Sequence, residues 1–455
     1  MNYDLVVIGS GPGGVQAAFA AREQGLGVLL VESCFLGGTC VNVGCIPTKF
    51  LLGGTATKSM LDAQKKLRCL KGEVEYDLPA IQERKDRYIK ALRGALEKRL
   101  TAAGVEILPG RASFSAPNSL SVKAKEGPVR DITFKHCVIA VGSKPAVYPG
   151  LEPDGAHVLS SSGLLNLNAA PESLIIVGGG VIGLELGDFY ASLGSRITLV
   201  EVMDRIALSE DAEVSAAMSK QLTREGWKIY TGRKVTQVNS DNGEAVLRFE
   251  DGEELRAAKA MIAVGRHPAT DSLKLEAAGI KTAGPGWVQT DDYLLAAPNV
   301  YAVGDCNRRA LLAHAAEHQA DYVIRHLLGK EKAAYDSGPM PSCIYGSNEV
   351  MHVGPHAQDL AAKYKPLGKS VAVSYSNLIS NTIAQSYGAT QGWVKVTWVD
   401  GEVHSVAAWG HGASRFLAAS TIMVQQRWAA NQIIFAHPTL DESLKSALLA
   451  PKEVL

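Results

Sequence analysis

Asp4-Leu-Val-Val-Ile8-Gly9-Ser-Gly11-Pro-Gly-Gly14 is the stretch that decides the fold. A short apolar run ends in glycines spaced Gly-x-Gly-x-x-Gly. A small-residue segment continues to about Gln24, and a second apolar run, Gly27–Glu32, closes on an acid. The pattern returns at Leu174–Val177, Gly178-Gly-Gly180-Val-Ile-Gly183, a helical segment to about Leu193, and Arg196–Glu201. The interval from first glycine to terminal acid is the same in both copies. In such a βαβ start the first glycine makes the tight turn and the second lets backbone approach a pyrophosphate. The third lets helix pack on strand, and the helix N-terminus supplies N–H groups and positive dipole. Glu32 and Glu201, at the tips of the second strands, are placed to accept hydrogen bonds from a ribose 2′-hydroxyl. A lone glycine loop is weak evidence; two with strand, helix and acid at equal offsets predict two bound dinucleotides. A carboxylate at Glu201 repels a 2′-phosphate, so the second site should take NAD rather than NADP, although Arg205 lies four residues on.

Outward from these copies, the 455 residues suit about three domains and a large core without staples. Lys+Arg and Asp+Glu are both 46, so no global field attracts nucleic acid or an anionic membrane. There is no apolar run of spanning length, and Met1-Asn2-Tyr3-Asp4 lacks the basic start of a secretory leader. These features predict a soluble, cytoplasmic, multidomain α/β protein with no nucleic-acid or membrane partner. Asp77–Ala103 reads as a long charged surface helix. The stretches around Leu120–Val122 and Val246–Leu255 read as β-meanders. After Gly338, the β-rich Gly392–Val399 and Val403–Trp409 precede a helix at about Ser414–Ala429.

Five residues after Glu32 begins Gly37-Gly-Thr39-Cys40-Val-Asn-Val-Gly44-Cys45-Ile-Pro-Thr-Lys49, its first cysteine eight residues past that acid. The cysteine spacing suits neither a Cys-x-x-Cys motif nor a zinc knuckle. In an ideal helix these Cα atoms would stand about 8–9 Å apart, whereas a disulfide tolerates about 4.4–6.8 Å. The turn must be distorted, and Gly44 permits it. A strained, accessible disulfide is easily reduced, as a catalytic one must be. A structural disulfide, unpaired thiols or an iron–sulfur site are the alternatives. A structural bond is disfavoured in a reducing compartment, and a cluster by the spacings from Cys34. Cys69, Cys137, Cys306 and Cys343 read as core or surface thiols. His314 and His318 with Glu317 between lack a third ligand, so no metal is expected.

With these residues in view, the chain resembles the flavoprotein disulfide reductases along its whole length. The resemblance is carried by the cysteine segment, Val138-Ile-Ala-Val-Gly142-Ser, and Gly178-Gly-Gly-Val-Ile-Gly-Leu-Glu185-Leu-Gly. It continues through Met261-Ile-Ala-Val-Gly265-Arg266, Val300-Tyr-Ala-Val-Gly304-Asp305, Leu312-Ala-His314 and His437-Pro-Thr-Leu-Asp-Glu442. The second glycine segment and its acid are similar to the lipoamide branch. The resemblance implies two Rossmann-like dinucleotide-binding domains, for FAD and NAD, plus an α+β C-terminal dimerisation domain. Boundaries are expected at 1–147 (FAD, with the redox pair), 148–267 (NAD), 268–336 (central) and 337–455 (dimerisation).

By the same resemblance, Gly9, Gly11, Gly14, Glu32, Thr39, Gly142, Gly304, Asp305, His314 and Arg266 belong to the FAD site. There Asp305 binds the ribitol and Arg266 lies near the flavin's polar flank. Gly178, Gly180, Gly183, Glu201 and Gly265 belong to the NAD site. Lys49 and Glu185 form an ion pair beside the reactive flavin nitrogen. His437 is the acid/base, oriented by Glu442, and reaches the active site from the other subunit of a homodimer. Thr439-Leu-Asp-Glu442 also reads as a capping box, and both readings of Glu442 can hold. The implied reaction oxidises a protein-bound dihydrolipoyl group to lipoyl through Cys40 and Cys45, reducing NAD⁺. The carrier would be a 2-oxoacid dehydrogenase acyltransferase, a glycine-cleavage carrier or another lipoate-binding protein. Three positions depart from the branch: the loop Tyr345-Gly-Ser-Asn-Glu349 keeps only Tyr and Glu, Phe435 stands for a His, and Arg415 for an acid. They bear on the interface and the substrate funnel, leaving two alternatives. One is another NAD(P)H-dependent disulfide reductase of the family; the other is a lipoyl-carrier-binding flavoprotein serving a non-standard lipoate pathway.

Overall fold

The computed structural model describes residues 2–124, 127–428 and 433–455. The chain divides into two compact units, one of Met1–Thr48, Gln82–Ala146 and Gly265–Ser337, the other of Lys49–Ile81, Val147–Val264 and Gly338–Leu455. In the first unit the strand Asn2–Ile8 lies between Val28–Glu32 and Val129–Ile139, parallel to both. Glu106–Ala116 adds beyond Val28–Glu32, and Val300–Ala302 beyond Val129–Ile139, both parallel. The central strands are buried on both faces, which is why Leu5–Ile8 and Val28–Val31 read as unbroken apolar runs rather than alternating ones. Glu106–Ala116 and Val129–Ile139 outrun this layer and pair with Ser119–Ala124 as an antiparallel meander.

Helix Pro12–Glu23 packs on helix Ala313–Leu327. Ala17, Ala18 and Ala21 are fully buried there, and a Cβ on Gly13 would stand 3.0 Å from the Ala316 carbonyl oxygen. The small residues of the first copy are therefore a packing requirement as well as a phosphate-loop feature.

The second unit repeats the architecture in Ser173–Val177, Arg196–Val200, Lys228–Tyr230, Lys259–Ile262 and Val158–Ser160, all parallel. A small meander, Val235–Asp241, Glu244–Phe249 and Glu254–Ala257, accompanies it. Its C-terminal part is a six-stranded sheet in the order Pro341–Ile344, Glu349–Val353, Glu402–Gly410, Gly392–Val399, Val371–Asn377, Glu453–Val454. Helices Leu417–Gln425 and Glu442–Leu449 pack on that sheet around Trp398, Phe416 and Leu444.

The long charged helix runs Leu78–Ala102, started by Asp77, whose carboxylate accepts the Ala80 N–H at 2.9 Å. Its surface character is incomplete: Lys85 is buried. The helix expected from Ser414 begins as a 3₁₀ turn, Ala413–Phe416, and is α-helical over Leu417–Gln425; Ala429 lies outside the described residues. No helix among the described residues is long and apolar enough to cross a membrane.

Candidate active site

Both glycine loops are built alike. Gly9 has φ +98° and Gly178 φ +112°; a Cβ would lie 2.5 Å from the Ala140 carbonyl oxygen in one loop and 2.3 Å from that of Ala263 in the other. Only glycine meets both the left-handed turn and the close approach. At the third glycines, Gly14 and Gly183, a Cβ would fall 1.9 and 2.2 Å from the carbonyl oxygens of Gly9 and Gly178, so helix sits directly on strand end. At Gly11 and Gly180, by contrast, a Cβ would meet nothing of the chain within 4 Å. These two residues are the N-caps of helices Pro12–Glu23 and Val181–Ser192, and no side chain caps either. Open space at an uncapped helix N-terminus fits a dinucleotide pyrophosphate at each loop.

The terminal acids are anchored before any ligand arrives. Glu32 accepts hydrogen bonds from Ser10 N at 2.9 Å, Ser10 Oγ at 2.6 Å and Cys34 N at 2.7 Å. Glu201 accepts from Gly179 N at 2.7 Å and Met203 N at 2.8 Å. Each carboxylate keeps lone pairs to spare for a ribose hydroxyl. Arg205, the cation nearest in sequence to Glu201, is engaged elsewhere, donating to the carbonyls of Glu210 at 2.8 Å and Leu208 at 3.1 Å.

The cysteine segment is a broken helix. Cys40 lies in Gly38–Val43, Gly44 interrupts, and Cys45 opens Cys45–Thr55. A Cβ on Gly44 would stand 3.0 Å from the Thr39 carbonyl oxygen, and Thr48 Oγ1 donates to the Gly44 carbonyl at 2.7 Å. Cys40 is half-buried and Cys45 exposed. Thr39 Oγ1 reaches the Ser143 carbonyl at 3.5 Å.

Ser143 follows Gly142 and links two residues far apart in sequence. Its Oγ donates to Asp305 and accepts from Arg266 Nε at 2.6 Å, while Arg266 Nη2 donates to the Ser143 carbonyl at 2.6 Å. Arg266 Nε stands 3.7 Å from Asp305, and burial lowers the pKa of its guanidinium, opposed by Asp305 and Cys45. Gly304 precedes Asp305 in the turn ahead of helix Ala313–Leu327, where its N–H donates to Gln319 Oε1 at 2.8 Å. His314 is exposed in the first turn of that helix. Gly265 directly precedes Arg266 in the chain.

One turn past Cys45, Lys49 Nζ stands 2.6 Å from Glu185 Oε2. Glu185 is buried on helix Val181–Ser192, its other oxygen accepting the Tyr345 N–H at 3.0 Å. The Tyr345 ring lies 4.6 Å from the Lys49 ammonium. A buried carboxylate with both oxygens satisfied and a partly exposed lysine make a charge pair that solvent reaches from one side only.

In the C-terminal part, His437 Nδ1 stands 3.1 Å from both oxygens of Glu442, and Glu442 Oε2 also accepts the Thr439 N–H at 3.2 Å. Only half of the expected capping box forms: Thr439 Oγ1 donates to the Ala436 carbonyl at 2.8 Å, and the helix starts after Asp441 with no side-chain cap. Its pKa is lowered by the His437 hydrogen bond first and the Thr439 N–H second. With Nδ1 turned to the carboxylate, Nε2 is the nitrogen left for proton transfer. Phe435 packs partly buried against the C-terminal core, and Arg415 is exposed.

Three residues escaped the sequence reading: Ser143, Asp188 and Tyr345 as a contact of Lys49. Ser143 lies inside the Val138–Ser143 motif, but nothing local marks which serine bridges Arg266 to Asp305.

Residues 3–320 match the pyridine nucleotide-disulphide oxidoreductase family, and residues 340–448 match that family's dimerisation domain. The chain is 34% identical to a dihydrolipoyl dehydrogenase of Chlorobaculum tepidum, over 98% of this chain and 96% of that one. It is similar to the crystal structure of LpdA from Mycobacterium tuberculosis, with TM-score 0.89, 24% identity and 98% of both chains covered, a likeness of fold. A Cu(II) complex of the HOCl-induced flavoprotein disulfide reductase RclA from Escherichia coli aligns with TM-score 0.87 and 26% identity, over 98% of this chain and 99% of that one. Two cysteines either side of the break at Gly44, two glycine loops of dinucleotide-binding form and a family match across nearly the whole length have one reading: the chain belongs to the pyridine nucleotide-disulphide oxidoreductases.

Proposed function

We propose that the protein is an NAD-dependent dihydrolipoyl dehydrogenase, with the reaction dihydrolipoyl + NAD⁺ → lipoyl + NADH + H⁺. The observation that carries it is the cysteine pair astride Gly44, with Lys49 one turn on and held at 2.6 Å by buried Glu185. The names of full-length relatives support the substrate.

In its neutral form His437 donates Nδ1–H to Glu442 and takes a proton from a substrate thiol at Nε2. The substrate thiolate attacks Cys40 Sγ. A substrate–Cys40 bond forms, the Cys40–Cys45 bond breaks, and its electron pair leaves on Cys45 as thiolate. His437 releases that first proton to solvent, takes the proton of the second substrate thiol, and this sulfur displaces Cys40, which leaves as a thiolate and is protonated by His437. The substrate is oxidised to its disulfide and the protein reduced, with Cys40 as thiol and Cys45 as thiolate. FAD, when bound, supplies the two-electron relay by which the dithiol is reoxidised and NAD⁺ reduced. Residues 1–147 and 268–336 would hold FAD: Gly9, Gly11 and Gly14 at the pyrophosphate, Glu32 at the ribose, and Thr39, Gly142, Gly304, Asp305 and His314 around the flavin side, joined there by Arg266 from the end of the 148–267 segment. Residues 148–267 would hold NAD through Gly178, Gly180, Gly183, Glu201 and Gly265. The engagement of Arg205 with two carbonyls supports NAD over NADP.

The dimerisation-domain match supports a homodimer in which residues 337–455 bring His437 of the partner subunit to the cysteine pair; the exposed His437 side chain suits that role. A protein-bound lipoyl carrier in the cytoplasm would be the partner. The test is NADH formation by the flavin-loaded protein from free dihydrolipoamide and NAD⁺, at ~340 nm. Fast turnover with NAD⁺ and not NADP⁺, abolished in Cys40→Ser and Cys45→Ser with flavin retained, is expected. Cys→Ser proteins that turn over normally, or a wild type inert to the dithiol, would sink the assignment and leave another disulfide substrate.

A further inference from the structure

Helix Val181–Ser192 carries two acids three residues apart, Glu185 and Asp188, which places them on one face. Both reach the same loop. Glu185 Oε1 accepts the Tyr345 N–H at 3.0 Å; Asp188 Oδ2 accepts the Ser347 N–H at 3.0 Å and the Ser347 hydroxyl at 3.2 Å. Between the two anchor points Gly346 adopts φ +146°, and a Cβ there would stand 3.2 Å from Asp188 Cγ and Oδ2. A side chain at 346 would be strained by φ and would push the loop off Asp188. The first residue of this turn is the one whose ring lies under the Lys49 ammonium.

Asp188 has no cation within ion-pair distance among the described residues. Burial first, then Glu225 and Glu185, push its carboxyl up to about 6, against the two Ser347 bonds. A half-buried acid facing two others is a poor device for stability alone. Its two accepted bonds go to one residue of one loop, and that loop's other anchor is the carboxylate that holds Lys49.

We propose that Asp188 is a positioning residue: with Ser347 it fixes the Tyr345–Ser347 turn, so that the Tyr345 ring covers Lys49 and the Tyr345 N–H steadies Glu185. The bearing of this on turnover rests on the role given to Lys49 and Glu185 above. Without Asp188 the turn loses both Ser347 bonds and keeps, among the hydrogen bonds of the described residues to that helix, the one from the Tyr345 N–H, so the Lys49 ammonium loses its cover.

The test uses the flavin-loaded enzyme and trace acetic anhydride, with acylation of Lys49 quantified by mass spectrometry against the exposed Lys135 and Lys234. Asp188→Ala should raise Lys49 labelling about three- to ten-fold, and Ser347→Ala, which deletes one of the two bonds, about two- to three-fold. Asp188→Asn keeps an acceptor oxygen and should stay near the wild-type rate. The kcat–pH profile should shift in Asp188→Ala and not in Asp188→Asn. Unchanged Lys49 labelling in both Asp188→Ala and Ser347→Ala, even with a lowered melting temperature, would overturn the proposal as a merely structural contact. Should Asp188→Ala fail to fold, Ser347→Ala decides alone: a rise supports the proposal and no rise overturns it. Labelling is read without substrate, so failure of the dihydrolipoyl assignment would leave the labelling outcome intact.

Discussion

The two βαβ copies solve the same steric problem and then diverge in what their helices carry. In both, the first glycine turns, the third lets helix touch strand, and the second leaves room. In both, the terminal acid is fastened by backbone N–H groups. Past the loop they part. Helix Pro12–Glu23 buries Ala17, Ala18 and Ala21 against Ala313–Leu327, with Gln16 bonding Asp321 at 2.7 Å. Helix Val181–Ser192 turns Glu185 and Asp188 to the Tyr345 loop. The first copy is a packing element with a cofactor loop at its head; the second carries polar machinery along its side. A shared motif therefore says where a dinucleotide sits and little about what else its helix does.

The sharpest way to break the parallel is to fill the glycines in pairs. Gly14→Ala and Gly183→Ala each drive a Cβ onto a carbonyl oxygen, at 1.9 and 2.2 Å, so each should cost about 3 kcal/mol or more. Gly11→Ala and Gly180→Ala meet no protein atom and should leave the melting temperature nearly unchanged. They should still lose ligand: flavin colour in the first case, NAD⁺ affinity in the second. Open-position variants that melt as early as the packed ones would show that space at Gly11 and Gly180 is not kept for a ligand.

A smaller effect separates the acids. Glu201→Ala removes the acceptor of Gly179 N and Met203 N as well as the proposed ribose contact, so KM for NAD⁺ should rise about ten-fold or more. NADP⁺ should gain little, since Arg205 stays committed to carbonyls. Glu32→Ala should instead purify with less flavin. Steady-state kinetics with both nucleotides checks the first, and the flavin-to-protein absorbance ratio the second. NADP⁺ turnover equal to that with NAD⁺ in Glu201→Ala would reduce that carboxylate to a simple repeller.

The smallest effect belongs to the side of the second helix. Asp188 has its pKa raised from 3.8 to about 6. Its ionised form is therefore penalised on folding, and wild-type stability is lost as pH rises through that value. Asp188→Asn is uncharged throughout. It should melt higher than wild type near pH 8, by about 1–2 kcal/mol after allowing for partial solvation, with the gap closing below about pH 4. A gap independent of pH would mean that another group titrates.

What the sequence made legible was what is local. The glycine loops, the acids at strand tips and the broken turn at Gly44 each follow from a few neighbouring residues, whereas the helix expected from Ser414 is α-helical only from Leu417, after a 3₁₀ turn. Of the Thr439–Glu442 box only the Thr439 N–H bond to Glu442 forms, and it was readable for the same reason, spanning three residues. Ser143 joining Arg266 to Asp305 and Asp188 holding Ser347 were not, because each bond crosses more than a hundred residues. A serine after Gly142 and an acid on an apolar helix look like ordinary surface choices until folding supplies their partners. The expected surface helix also differs at one point, where the fold buries Lys85.

The bracing of Glu201 by Gly179 and Met203 has a consequence for how such a protein can change over generations. On the proposed assignment Glu201 would both read the ribose and fasten its own loop, and a residue with two such tasks cannot drift one property at a time. Any substitution toward a phosphorylated nucleotide first loosens the turn that grips the phosphates already shared by both. The trajectory between the two nucleotide preferences thus crosses a poor enzyme, and a lineage leaves its starting preference only when a second change re-ties the Gly179 turn beforehand.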